Sequence, residues 1–208
     1  MINPAEVADQ DFLSLVTSKQ GHFQLESGHH GKLWLDLDTL FVEPSRVRPL
    51  VEKLARALQA HDPELVCGPL VGGAFLAQML ASTLQVEFSF TERVLSTPGD
   101  GLYRAVYRLP KGLRDRVRGK RVAIVDDVIS AGSSVRGSCA ELQANGATSV
   151  VVGALLVLGS DALKFFAPQG VPVTSVAQLP YELWIPADCP LCASGLPLED
   201  VAAREANP

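Results

Sequence analysis

The chain has 208 residues, of which 47% are hydrophobic and 20% are charged, and this composition excludes an intrinsically disordered protein. No apolar run approaches the roughly 20 residues that a membrane-spanning helix needs. Because the first residues also lack a basic stretch followed by an apolar one, we expect a soluble cytoplasmic protein without a signal peptide. The net charge of −5 and the length suit one α/β domain with a small subdomain.

Helical and extended patterns alternate along most of the chain. Apolar spacing and helix-start signals predict helices at about residues 4–18, 44–60, 74–83, 133–144 and 162–166. Alternating or continuously apolar runs predict strands at about residues 33–38, 64–67, 86–90, 121–125, 150–158 and 171–176. Continuously apolar strands are typical of a parallel sheet that is covered on both faces. The pattern therefore predicts a mostly parallel, Rossmann-like α/β sheet that binds ligands at the carboxyl ends of its strands.

Residues 92–119 interrupt this pattern. A long stretch without regular periodicity is typical of a mobile functional loop, although a hairpin strand is possible at about 103–108. Between residues 103 and 121 Asp115 is the one acidic residue, and the basic residues are Arg104, Arg108, Lys111, Arg114, Arg116, Arg118, Lys120 and Arg121. This concentration favours a small anionic ligand or else a solvated surface. Tyr103 and Tyr107 at its start are its only aromatic residues, so the run lacks the repeated interleaving of basic and aromatic residues that predicts nucleic-acid binding.

Two of the four cysteines form a C-P-L-C motif near the C-terminus. Cys67 and Cys139 lie in apolar segments and are expected to be buried thiols. Cys189 and Cys192 are weak zinc candidates, because a four-ligand site needs a second pair of ligands at suitable spacing. The histidines at residues 29–30 could join them only if the chain folded back. A tight turn that carries two thiols is the favoured alternative.

Residues 121–136 carry the clearest chemical signal. A buried strand ends in Asp126 and Asp127, which are placed to accept hydrogen bonds from sugar hydroxyls. Small residues then lead into a helix, so that the backbone and the helix N-terminus can hold a phosphate. The phosphate-binding candidates are Ser130, Ala131, Gly132, Ser133 and Ser134. The chain has neither a G-x-x-x-x-G-K-[ST] nor a G-x-G-x-x-G motif, which argues against P-loop and dinucleotide chemistry.

Residues 122–134 resemble the signature with which type I phosphoribosyltransferases bind phosphoribosyl pyrophosphate (PRPP). The resemblance implies the fold of that family, with a small N-terminal hood over about residues 20–40. It also implies that Asp126 and Asp127 are catalytic residues at the ribose, while residues 130–134 hold the 5′-phosphate. Mg²⁺ is the implied cofactor, bound through the diphosphate of PRPP, and a homodimer is the implied assembly.

Three further segments are similar to orotate phosphoribosyltransferases. The run from Asp126 continues to Arg136, where an Arg of these enzymes meets the base; an Arg on the helix surface is the open alternative. Residues 23–36 resemble their hood, which implies that Phe23, Ser27 and Lys32 lie near the base. Residues 68–73 resemble their pyrophosphate loop. The implied loop residues are Leu70, Val71, Gly72 and Gly73.

The chain departs from these enzymes in the loop that follows Arg93. Orotate enzymes carry a K-x-x-x-K-x-H-G-like pattern there, contributed across the dimer, whereas residues 94–101 contain neither Lys nor His. Arg93 is therefore the expected catalytic cation that faces pyrophosphate. Arg104, Arg108 and Lys111 are further possible sources of positive charge.

These observations predict a phosphoribosyltransferase domain over residues 1–180 and a tail over residues 181–208 that contains the C-P-L-C turn. The predicted reaction joins a nucleobase, in the first place orotate, to PRPP and releases pyrophosphate. Two alternatives stay open. One is transfer to a different base, and the other is a non-catalytic regulator that binds PRPP or a nucleotide.

Overall fold

The computed structural model describes residues 11–94 and 101–200, and two sheets organise them. The strands are β1 Thr17–Gln24, β2 His30–Asp36, β3 Leu65–Pro69, β4 Glu87–Val94, β5 Val106–Arg108, β6 Arg121–Ile129, β7 Thr148–Leu158, β8 Val173–Leu179 and β9 Glu199–Asp200. The helices are α1 Pro44–Gln59, α2 Gly72–Leu84, α3 Arg114–Val117, α4 Ser133–Ala144, α5 Asp161–Phe166 and α6 Pro190–Ala193. No helix within these residues has the length and apolar character to cross a membrane.

The larger sheet has six strands in the order β5-β4-β3-β6-β7-β8. All neighbouring strands pair in parallel except β5, which runs antiparallel to β4 at one edge. Successive residues of β6 enter two different hydrophobic clusters, so both faces of this sheet are covered: Ala123 and Val125 join one, and Val122 and Ile124 join the other. This arrangement confirms the predicted α/β fold with a mostly parallel sheet.

The smaller sheet has the order β2-β1-β9 and forms the hood. The hairpin of β1 and β2 is antiparallel, and β9 from the C-terminal tail adds in parallel beside β1. Trp184 exchanges backbone hydrogen bonds with His30, so the tail also meets the other strand of the hairpin. The hood is thus built from both ends of the chain.

The N-terminal helix prediction was wrong at its C-terminal end. Residues 11–13 are helical, but β1 begins at Thr17, inside the predicted helix. Hydrogen bonds to β2, a contact between segments, override the local helical pattern here. Residues 4–10 lie outside the described residues.

The stretch predicted as a mobile loop contains regular structure. Strand β5 and helix α3 lie within it, and Tyr107, Leu109 and Val117 are buried. Residues 95–100 fall outside the described part of the chain. The side chains that anchor the rest pack against residues distant in sequence, which periodicity within the stretch itself does not reveal.

Candidate active site

A cavity of about 960 Å³ opens at the carboxyl ends of β3 and β6. Its size lies in the range of small-molecule sites. Residues 69–72 line one wall, residues 126–134 line the floor, and residues 25–27 of the hood cover it. Arg93, at the end of β4, also lines the cavity. Four segments that are far apart in sequence therefore converge on one space.

Asp126 and Asp127 lie on the floor of this cavity and are nearly buried, with 7% and 8% of their surfaces exposed. Asp126 Oδ2 accepts a 2.5 Å hydrogen bond from the Ser134 hydroxyl. Asp127 Oδ1 accepts a 2.7 Å hydrogen bond from the backbone N–H of Val128. Burial raises the pKa of both carboxyls, and the charge of Asp127 raises the pKa of Asp126 further. A bound ligand that donates hydrogen bonds or carries positive charge would favour the ionised forms of both carboxyls.

Because of these raised pKa values, we expect the acid pair to lower the free energy of unfolding of the ligand-free protein at neutral pH. Any stability that a carboxyl with a raised folded-state pKa contributes is fully present below its unfolded-state pKa, about 3.9, and is lost as the pH rises through the raised value. We therefore expect Asp126→Asn/Asp127→Asn to melt at a higher temperature than the unmodified chain at pH 7. This difference should shrink toward pH 4 in thermal denaturation curves. Equal melting temperatures at pH 7 would contradict it.

The loop of small residues has the features of an anion site. Gly132 adopts the left-handed conformation with φ +80° immediately before α4, where a side chain would be strained. The first turn of α4 leaves backbone N–H groups without helical partners. The hydroxyl of Ser133 is buried and has no hydrogen-bond partner. A phosphate oxygen would satisfy these donors.

The glycine loop after β3 approaches the acid pair closely. A Cβ at Gly72 would lie 1.9 Å from Asp127 Oδ2, and one at Gly73 would lie 2.7 Å from Asp126 Oδ1. No larger residue fits at Gly72 without moving the buried carboxylate. The peptide between Leu70 and Val71 is cis. Leu70, Val71 and Gly72 line the cavity, and Gly73 does not.

Arg93 pairs with Glu26, which in turn binds Tyr107; neither partner carries a recognisable signal in the sequence. Its guanidinium lies 3.6 Å from the carboxylate of Glu26 in the hood. The Tyr107 hydroxyl donates to the same carboxylate at 3.0 and 3.1 Å. Burial and the nearby Glu26 carboxylate raise the pKa of Tyr107, so it stays a donor. Glu26, Arg93 and Tyr107 therefore join the hood to the edge of the main sheet across the cavity mouth.

Of the four residues implied to lie near the base, Ser27 lines the cavity, whereas Phe23, Lys32 and Arg136 do not. Phe23 is fully buried within the hood, and Lys32 is exposed on β2. Arg136 lies between the rings of Tyr103 and Phe165, with centroids 4.2 and 4.1 Å from its guanidinium carbon. Base contact by all three stays a prediction.

Arg136 nevertheless keeps an unused donor beside the small-residue loop of residues 130–134. Its Nη2 donates to the backbone carbonyl of Asp161, but its buried Nε has no hydrogen-bond partner. This Nε lies 3.5 Å from the position that a Cβ at Gly132 would take. Aromatic rings cover both faces of the guanidinium, so an anion would reach it along its edge.

The basic run is largely paired with acids of the main domain. Arg108 pairs with the buried Glu141 at 3.2 Å, and Arg116 and Lys120 both pair with Glu87. None of these cations lines the cavity. The run therefore supports the packing of this segment, and Arg93 is the cation that faces the cavity among the described residues.

The sequence matches a known family model and several relatives. Residues 44–164, more than half of the chain, match the family model of the phosphoribosyl transferase domain. The orotate phosphoribosyltransferase of Thermotoga maritima is 33% identical over 185 residues, which make up 89% of this chain and 91% of the relative. The enzyme of the same name from Carboxydothermus hydrogenoformans is 32% identical over 93% of this chain and 95% of its own length.

Solved structures of phosphoribosyltransferases also match this chain. Orotate phosphoribosyltransferase from Aeropyrum pernix matches with a TM-score of 0.61 and 26% identity, over 85% of this chain and 94% of that one. Adenine phosphoribosyltransferase from Trypanosoma brucei, solved with AMP, pyrophosphate and ribose-5-phosphate, matches with a TM-score of 0.60 over 82% of this chain and 79% of that one. At 18% identity, the second match shows the shared fold alone.

Proposed function

The chain belongs to the phosphoribosyltransferase family, and we propose that it transfers the phosphoribosyl group of PRPP to orotate. One observation carries the proposal: the glycine loop, the buried acid pair and the loop with the unpaired Ser133 hydroxyl converge on a single cavity. These parts match the needs of a substrate that carries a diphosphate, ribose hydroxyls and a 5′-phosphate. The names of the relatives favour orotate as the acceptor and do not favour a non-catalytic regulator.

In the proposed reaction the bond between C1 of the ribose and the pyrophosphate oxygen breaks, and pyrophosphate leaves with the electron pair. A bond forms between C1 and a ring nitrogen of orotate, whose proton is released. Asp126 and Asp127 accept hydrogen bonds from the ribose hydroxyls and face the positive charge that develops on the sugar. Residues 130–134 hold the 5′-phosphate. The protein thus acts by positioning and electrostatics.

The pyrophosphate leaving group is proposed to bind at the cavity wall formed by residues 69–72. The backbone of residues 70–73 is proposed to face the diphosphate, with Gly72 and Gly73 letting this segment pass close to the acid pair, and Arg93 supplies positive charge. The oxygen-rich acid pair fits a diphosphate that arrives with Mg²⁺, a cation that prefers oxygen ligands. When bound, Mg²⁺ neutralises charge on the pyrophosphate. A homodimer is a part of the proposal that rests on the family resemblance, and a cytoplasmic location stays the expectation drawn from the sequence.

Recognition of orotate is proposed to depend on its carboxylate. The buried Nε of Arg136 has no partner, and an Arg edge binds carboxylates through parallel hydrogen bonds. Transfer to another base would not require this donor. The unpaired Nε therefore favours an acidic base over a neutral one.

The test is pyrophosphate release from PRPP and Mg²⁺ with orotate, and with uracil as the matched base that lacks the carboxylate. We expect release with orotate and at most weak release with uracil, and we expect Arg136→Gln to narrow this preference. If pyrophosphate is released with a different base and not with orotate, that base is the acceptor and the proposal of orotate is wrong. No release with any of a panel of bases, despite PRPP binding by calorimetry, would overturn the enzymatic proposal.

A further inference from the structure

Four metal-ligating side chains meet in the hood, away from the cavity. His22 lies on β1, His30 begins β2, and Cys189 and Cys192 flank the first turn of α6 in the tail. One ligand atom from each lies within 4.8 Å of the other three. His22, His30 and Cys189 are buried, while Cys192 is exposed. The cluster joins residues that are up to 170 positions apart in the sequence.

Four distances between ligand atoms of the cluster lie near those of a tetrahedral metal site, and all ligand atoms are within 4.8 Å of one another. His22 Nε2 lies 3.1 Å from His30 Nδ1, 3.4 Å from Cys189 Sγ and 3.7 Å from Cys192 Sγ. Cys192 Sγ lies 3.3 Å from His30 Nδ1. Zinc bonds of about 2.3 Å to sulfur and about 2.0–2.1 Å to nitrogen place tetrahedral ligands roughly 3.3–3.8 Å apart. We propose that His22, His30, Cys189 and Cys192 bind one structural Zn²⁺ that ties the C-terminal tail to the hood.

The ligand orientation supports this site independently of the distances. His22 Nδ1 lies 2.9 Å from the backbone carbonyl oxygen of Leu196, to which it can donate. That bond leaves Nε2 unprotonated in the neutral ring, and Nε2 is the atom that the other three ligands surround. Zinc-bound histidines commonly donate their second ring nitrogen in this way. The hydrogen bond thus prepares His22 as a metal ligand.

The fold brings the two pairs of ligands together by specific local features. The pairing of β1 with β2 is irregular between Gln20 and Phe23, so His22 lies within a bulge, a feature that re-aims side chains. The backbone hydrogen bonds between His30 and Trp184 bring the tail alongside the hairpin. Cys189 then caps α6, which carries Cys192 one turn later. Cys-x-x-Cys on such a turn is a common half of a zinc site.

The chemistry of the cluster selects zinc over other cations. Two thiolates and two imidazoles suit zinc, whereas Mg²⁺ and Ca²⁺ prefer oxygen ligands. Four protein ligands fill the tetrahedron, so the metal would have no open position for substrate. A structural role follows, and it fits the position of the cluster outside both hydrophobic clusters of the main domain. Small units with little core of their own commonly use such a metal.

The experiment measures metal content directly and needs no enzymatic activity. The full chain is purified under reducing conditions without a histidine tag, and zinc is measured by inductively coupled plasma mass spectrometry. We expect one zinc per chain. Replacement by Co²⁺ should give the visible absorption of a tetrahedral site together with thiolate charge-transfer bands. Cys192→Ser should lose the bound zinc, and this variant is chosen because Cys192 is exposed.

Matched controls separate the cluster from thiols and imidazoles elsewhere. Cys139→Ala removes a buried thiol of the main domain, and His61→Ala removes a histidine near the end of α1; both should keep one zinc per chain. A folded, reduced chain that binds neither Zn²⁺ nor Co²⁺ would overturn the proposal. Full zinc content in both Cys192→Ser and His30→Gln would do the same. Because the readout is stoichiometry, its failure would leave the proposed transferase activity untouched.

Discussion

Asp126→Asn/Asp127→Asn should lower kcat/KM for PRPP by about 10³-fold or more, since single electrostatic contacts in active sites are often worth 10²–10³-fold. Both carboxylates lie on the cavity floor, next to the glycine loop. In the proposed reaction they orient the ribose and stabilise the positive charge that builds up at C1. Asn keeps the size of the side chain but removes that charge. Initial rates of pyrophosphate release at several PRPP concentrations measure the effect.

The control for this variant is Asp115→Asn, which removes a carboxylate whose side chain is 92% exposed and pairs with Arg118 on the surface. Its activity should equal that of the unmodified chain. If the double variant keeps normal kcat/KM while the protein is folded, the acid pair has no catalytic role. The raised pKa values predict in addition that the double variant is folded and at least as stable at neutral pH.

Arg93→Gln should lower kcat by about 10²-fold, with a smaller effect on the KM for PRPP. Negative charge on the departing pyrophosphate grows as the bond to C1 breaks, so a cation at the cavity stabilises the transition state more than the ground state. Arg93 is the cation available for this among the residues that line the cavity. Arg93→Lys keeps the charge and should recover part of the lost rate. Steady-state kinetics with saturating orotate separate kcat from KM.

Arg116→Gln is the matched control, because it also removes an Arg that pairs with a partly exposed Glu. Arg93 pairs with Glu26 near the cavity, whereas Arg116 pairs with Glu87 on the outer surface. Only the Arg93 variant should lose activity. Equal kcat values for the two variants would mean that positive charge reaches pyrophosphate from elsewhere, such as Arg104, Lys111 or a second chain.

Several features of the site could be read from local sequence because local chemistry determines them. Asp126, Asp127 and Gly132 follow a strongly apolar strand and precede a regular helix, so strand, acids and loop are recognisable within 16 residues. The glycines of residues 72–73 indicate that another chain segment approaches closely, but they do not show which segment it is. The structure supplies that partner, the acid pair.

Other parts of the site had no local signal. Glu26 is one polar residue among several in the hood, and its pairing with Arg93 and Tyr107 exists only after the hood folds over the main sheet. Tyr103 and Phe165 flank Arg136 from two segments that are 62 residues apart. The basic run appeared suited to an anionic ligand, but its acidic partners come from distant elements. Pairing of this kind depends on the final packing.

The sequence by itself determined the α/β class, most element positions and the strand, acid pair and small-residue loop of residues 121–134, because periodicity, apolar runs and small-residue loops act over a few neighbouring residues. Only the tertiary structure decided that the N-terminal hairpin and the C-terminal tail form one hood. It also decided that His22 and His30, and not His29, lie beside Cys189 and Cys192. The physical reason is that strand pairing between chain ends fixes these contacts, and such pairing depends on the whole fold.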